Sequence, residues 1–132
     1  MNKTRFGRAA HCALMTGMVF YGVGTLPALA SDADAGKDVF KQECSECHSP
    51  KEGKNKKGPS LFNIVGRNAG SIADYNYSDA LKNAKWVWSE DKLHWYLSQP
   101  AKQANPGTKM KYSGLDNAKQ LDDLISYLQS NH

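Results

Sequence analysis

Cys44-Ser45-Glu46-Cys47-His48 puts two thiols and an imidazole within one short stretch. On a helical turn, positions i, i+3 and i+4 share a face, so all three side chains can point at one object. Three chemistries use such a set. A redox dithiol also has the C-x-x-C spacing, but in a βαβ setting that this chain lacks. A structural zinc ion needs four ligands, typically a second Cys/His pair at similar spacing. Beyond residue 48 only His94 and His132 remain, far apart and in no pair. The third chemistry is covalent attachment of haem by C-x-x-C-H: each thiol becomes a thioether and His48 supplies an axial imidazole to iron.

A haem iron held by one histidine has a sixth position to fill or to leave open. After the first thirty residues the chain holds one methionine, Met110, in the loop "PGTKMKY". A lone methionine is commonly core filler. A core position between Lys109 and Lys111 is hard to build, and a loop that turns one thioether inward fits better. His/Met ligation raises the haem potential and leaves no site for a substrate, which suits electron transfer rather than catalysis. The rival reading is a haem peroxidase or small-ligand sensor in which Met110 dissociates. The sequence offers no distal acid–base pair for that. His94 is the one candidate, and by helical phase it lies off the Leu93/Tyr96/Leu97 face.

The elements that position these residues begin after a leader. Residues 1–30 carry a positive start (Lys3, Arg5, Arg8), an apolar run from about Cys12 to Leu26, and Ala28-Leu29-Ala30 at the end. This is the pattern of a cleaved secretory signal, and the run is short for a membrane span of roughly 20 residues. The alternative is a retained anchor that tethers the domain. Export implies the periplasm, with no stable membrane insertion. The leader holds three of the 17 basic residues and none of the 13 acidic ones, so the formal net charge falls from +4 to +1 over residues 31–132. A nucleic-acid binder would keep a basic excess. Of the cysteines only Cys44 and Cys47 remain.

Residues 31–132 form a single domain, small enough to benefit from a covalent staple. Ser31, Asp32 and Asp34 start an amphipathic helix on which Gly36, Val39 and Phe40 share a side. Turn formers dominate residues 49–85, with a short helical piece expected around Ser60–Val65. Ser89 caps a second helix, stopped by Pro100. The loop "QPAKQANPGTKMKYSG" reads as irregular. A last helix spans about Asp116 to Gln129, with Leu121, Leu124, Ile125 and Leu128 buried. The fold class is all-α, with long connections that make sense if they wrap something replacing part of the core.

Taken together, Gly36 and Phe40 ahead of "CSECH", then "KGPSL", "GRNAG", "YNYSDA", "WVW", "LHWYLSQP", "NPGTKM" and "LISYL" resemble class I cytochrome c, nearest to bacterial cytochrome c2 and the mitochondrial type. The likeness covers nearly all of residues 31–132 and implies the small cytochrome c fold around one haem c. It implies that the Pro59 carbonyl accepts a hydrogen bond from His48, orienting it and raising its basicity. Arg67, Tyr77 and Trp88 would meet the haem propionates, which are costly to bury without donors, and Thr108 would add another. Tyr96 would bring its hydroxyl near the Met110 sulfur. Gly36 and Phe40 would cross Leu124 and Tyr127.

Some positions depart from the mitochondrial pattern. Tyr112 stands where a phenylalanine is usual, Leu81 replaces a frequent asparagine, and the Pro100–Pro106 loop is one residue longer. The resemblance further implies a monomeric, non-enzymatic shuttle of single electrons. The usual donor is a bc1-type complex; acceptors are a terminal oxidase, a photosynthetic reaction centre or a periplasmic reductase. Lys51, Lys54, Lys56, Lys57, Lys102, Lys109 and Lys111 would ring the haem edge and face acidic partners, while Asp32, Asp34, Asp38, Asp122 and Asp123 lie away from it.

Overall fold

Asp32 starts the first helix by accepting the backbone N–H groups of Asp34 and Ala35, at 2.9 and 3.3 Å. The computed structural model describes residues 30–132, so residues 1–29 of the expected leader lie outside the described residues. The element order is α1 (Ala33–Glu43), α2 (Asp79–Lys82), α3 (Glu90–Leu97), α4 (Ala101–Ala104) and α5 (Ala118–Ser130). Among the described residues the only strand-like pairing is an isolated antiparallel bridge between Asn68 and Val87.

The two longest helices cross where Gly36 has no side chain. A Cβ there would collide with the Asp123 carbonyl and come within 2.8 Å of Tyr127 Cβ. One turn on, Phe40 packs on Tyr127 with ring centroids 5.4 Å apart. Val39, Phe40, Leu121, Leu124, Ile125 and Leu128 are buried together, joined by Leu93, Tyr96 and Leu97 of α3. The apolar stripe expected on α5 is the one that is buried. Ser89 caps α3 by accepting the Lys92 N–H at 3.1 Å.

Two expectations are corrected. Residues 60–65 are turns, not a helix. The Ser60 and Phe62 carbonyls, which helical N–H groups would take, accept instead from Arg67 Nη2 and Nη1, both at 2.8 Å. Asn63 adopts φ 50°, a left-handed conformation that breaks a right-handed helix. The loop after Pro100 is not wholly irregular: Ala101–Ala104 is a short helix with both end alanines buried. Proline suits a helix start because its fixed φ is helical and its missing N–H is not needed there.

Asp123, expected away from the haem edge, is buried. It is 4% exposed and accepts the Asp32 N–H at 2.6 Å and the Lys119 ammonium at 2.5 Å. The Lys119 bond first, then the Asp32 bond, hold its carboxyl below the usual carboxylate range. Such a group contributes stability that is complete above its unfolded value, about 3.9, and is lost as pH falls through the folded value. Asp123→Asn should therefore flatten the acid limb of stability below about pH 4, as measured by the denaturant midpoint against pH.

Candidate haem site

The motif sits just past the end of α1. Cys44 and Ser45 both donate their N–H groups to the Phe40 carbonyl at 2.9 Å, which closes the helix at Glu43. Cys47 and His48 then donate to the Cys44 carbonyl, at 3.1 and 2.8 Å. The i, i+3, i+4 arrangement survives as a hydrogen-bonded turn instead of as more helix.

His48 is buried, with Nδ1 2.8 Å from the Pro59 carbonyl. A proline carbonyl can only accept, so Nδ1 carries the proton and Nε2 keeps its lone pair. Burial lowers the imidazole pKa, outweighing the Pro59 bond that raises it, and Arg67 and Lys56 lower it further. The ring is held neutral, the form that binds iron. Gly58 makes room for it: a Cβ there would collide with the His48 ring. The Gly58 N–H also donates to the Cys47 carbonyl at 2.7 Å, tying this loop to the motif.

Cys44 and Cys47 form no disulfide with each other. Burial, then the Glu43 carboxylate and Cys47, push the Cys44 thiol up to about 12. A redox dithiol needs the opposite shift. Among the described residues no group of three or more His, Cys, Asp or Glu side chains could hold a metal ion.

One cavity of about 310 Å³ collects these residues. Cys44, Cys47, His48, Pro59, Arg67, Tyr77, Trp88, Tyr96, Thr108 and Met110 all line it, so every position expected from the sequence reaches the same space. Leu61, Ile64, Leu81, Leu93, Leu97 and Leu128 supply the rest of a largely apolar wall. A depression of about 410 Å³ around Glu52, Asn55 and Phe62 is larger but contains neither cysteine nor histidine, so it carries no comparable chemistry. Met110 is half-buried, and its N–H donates to Thr108 Oγ1 at 3.3 Å.

The wall has loose polar ends. The Tyr96, Tyr112 and Ser78 hydroxyls are buried, line the cavity and have no hydrogen-bond partner in the protein. Each such group costs about 1–3 kcal/mol when left unpaired. Burial raises the Tyr96 pKa, and the Thr108 hydroxyl opposes that shift without meeting the geometry of a hydrogen bond. A mainly apolar wall with two thiols, a neutral imidazole, a thioether, a guanidinium and unpaired hydroxyls fits a large flat apolar group that carries iron and a few polar substituents.

A model of the cytochrome c family matches residues 33–132. The chain belongs to the cytochrome c family. Cytochrome c of Arabidopsis thaliana is 44% identical over 103 residues, 77% of this chain and 91% of the plant protein. Cytochrome c2 of Blastochloris viridis is 41% identical over 117 residues, 88% of this chain and 91% of the bacterial one. The solved cytochrome cH from Methylobacterium extorquens superposes with a TM-score of 0.69 at 40% identity, over 76% of this chain and 99% of that one. The fold is therefore the small all-α cytochrome c fold, its prosthetic group is one covalent haem c, and its role is that of an electron carrier.

Sequence reasoning missed Ser78 and did not foresee that the Tyr112 hydroxyl would be buried without a partner. Ser78 lay within "YNYSDA", but nothing in the pattern set it apart from a helix cap. In the structure it precedes α2 without capping it through its side chain. Arg67 was expected only at the cavity, and its work on the Ser60 and Phe62 carbonyls is additional. Gly58→Ala should displace the His48 ring and lower the fraction of haem-loaded protein several-fold, read from the ratio of haem absorbance to protein absorbance.

Proposed function

We propose that this cytochrome c is a periplasmic shuttle of single electrons in which Cys44 and Cys47 hold the haem as thioethers and His48 and Met110 are its axial ligands. The observation that carries this reading is the convergence of both thiols, the Pro59-oriented imidazole and the Met110 thioether on one apolar cavity. When bound, the haem supplies a one-electron iron couple whose potential His/Met ligation raises. The chain holds His48 neutral and pointed, excludes water with leucine and aromatic side chains, and offers Arg67, Tyr77, Trp88 and Thr108 to the polar substituents. Tyr96 stands in the same wall as Met110, where its hydroxyl can tune the ligand.

Export rests on the leader pattern of residues 1–30, with residues 31–132 as the working domain. Among the described residues no helix is long and apolar enough to cross a membrane. His94 does not line the cavity; it is exposed and 3.5 Å from Asp122, so it offers no acid–base chemistry at the iron. The decisive experiment is optical titration of the purified holoprotein, with carbon monoxide when reduced and with azide when oxidised. Neither ligand should bind at neutral pH if Met110 closes the iron. Ready binding of either would overturn the closed site in favour of peroxidase or ligand-sensing chemistry.

The partners in this reading are redox proteins with acidic docking faces, a bc1-type donor and an oxidase, reaction centre or reductase as acceptor. Three of the lysines singled out above, Lys57, Lys109 and Lys111, line the cavity rim. Lys57 is paired with Glu46 at 2.5 Å and Lys109 donates to the Asn76 carbonyl at 3.2 Å. Lys111→Glu should slow association with an acidic redox partner several-fold at low salt, and the difference should shrink as salt screens it. Electron-transfer rates that stay flat across ionic strength would refute the steering.

A further inference from the structure

Lys92 belongs to a closed ring of side chains that runs from the cavity wall to the surface. Its ammonium lies 3.7 Å from the centre of the Trp95 ring and 4.5 Å from that of Trp86. Trp95 meets Tyr96 edge-on at 6.5 Å, and Trp86 meets Trp88 edge-on at 5.7 Å. Trp88 and Tyr96 complete the ring, 5.0 Å apart with their planes at 90°. Each member has two others of the ring as neighbours.

The ring has an inner and an outer end. Tyr96 and Trp88 line the cavity, while Trp95 is 43% exposed. Lys92 lies one turn before Tyr96 on α3, where positions i, i+3 and i+4 share a face, so its stem reaches both Trp95 and the side of the helix that carries Tyr96. Trp86 Nε1 is buried without a hydrogen-bond partner in the protein, so this indole is held by packing and by the one cation in the ring. An ammonium over an indole face is attracted by the ring quadrupole, with edge-to-face contacts adding to it.

We propose that Lys92 is a remote positioning residue for the iron site: held between two indoles, its ammonium fixes the orientation of Tyr96 and Trp88 at the cavity wall and thereby sets the reduction potential. The proposal rests on the reading above, in which Tyr96 stands beside the ligand Met110. Neutralising Lys92, whether by substitution or by acylation of its amine, releases the two indoles and lets the inner rings turn. A purely electrostatic effect of one partly exposed charge would be screened by salt and would not depend on Tyr96.

The test is the midpoint potential of the haem-loaded protein for Lys92→Met, Lys92→Gln, Lys92→Arg, Tyr96→Phe and the Lys92→Met/Tyr96→Phe double variant. Near-ultraviolet circular dichroism of the tryptophans is measured alongside. Both neutral variants should change the one-electron equilibrium constant about threefold, which corresponds to about 28 mV, and alter the tryptophan signal. Arginine, which stacks on aromatic faces, should restore both. In the Tyr96→Phe background the Lys92 effect should largely vanish, since coupled residues are non-additive. An equal Lys92 effect with and without the Tyr96 hydroxyl would overturn the proposal as a simple charge effect. A potential moved by Tyr96→Phe but not by either neutral Lys92 variant would overturn it while leaving the Tyr96 reading intact. If neither site moves the potential, Tyr96 does not act on the iron ligand, and the proposal falls with that reading.

Discussion

Gly36 lacks a side chain, and the Asp123 carbonyl occupies the space where a Cβ would stand. This close approach lets α1 lie directly on α5 and brings Phe40 against Tyr127. α1 ends at Glu43, so its placement on α5 also places the turn that carries Cys44, Cys47 and His48. Leu128, from the far end of α5, reaches the same cavity as that turn. The residues proposed to carry the haem are therefore aimed by a contact outside the cavity, between two helices whose close approach needs a residue without a side chain.

The second constraint is that the core is built around a space. Leu61, Leu81, Leu93 and Leu97 face the cavity instead of filling it, and hydroxyls of Ser78, Tyr96 and Tyr112 end there without partners. A chain of this size has little apolar surface to spare. Leaving that space to water would expose its wall and forfeit the dispersion contacts that a packed core supplies. The prosthetic group thus counts as core as well as chemistry, and much of the stability of the folded chain is coupled to having it in place.

Much of this was legible in the sequence because its signals are local. C-x-x-C-H, the Ser89 and Asp32 caps and the stripe Leu121/Leu124/Ile125/Leu128 each follow from spacing within one turn or two. What was not legible depends on partners distant in the chain. The stretch around Ser60 to Val65 reads as helical until Arg67 takes the Ser60 and Phe62 carbonyls and Asn63 turns left-handed. The burial of Asp123 rests on the Asp32 N–H, from the other end of the domain, and on Lys119. The short helix after Pro100 was hidden by a composition that usually means a loop. The roles of Arg67, Tyr77, Trp88 and Tyr96 came from likeness to a family, and no periodicity would have found them.

The Asp32–Asp123 bond joins residues separated by 91 positions in the chain. Closing a loop of that length carries an entropic cost of about 4 kcal/mol beyond a constant, and it needs both ends of the domain to be present. Until both are, α1 has no α5 to lie on. The turn with Cys44, Cys47 and His48 comes early in the chain, and the helix on which its supporting helix rests comes last.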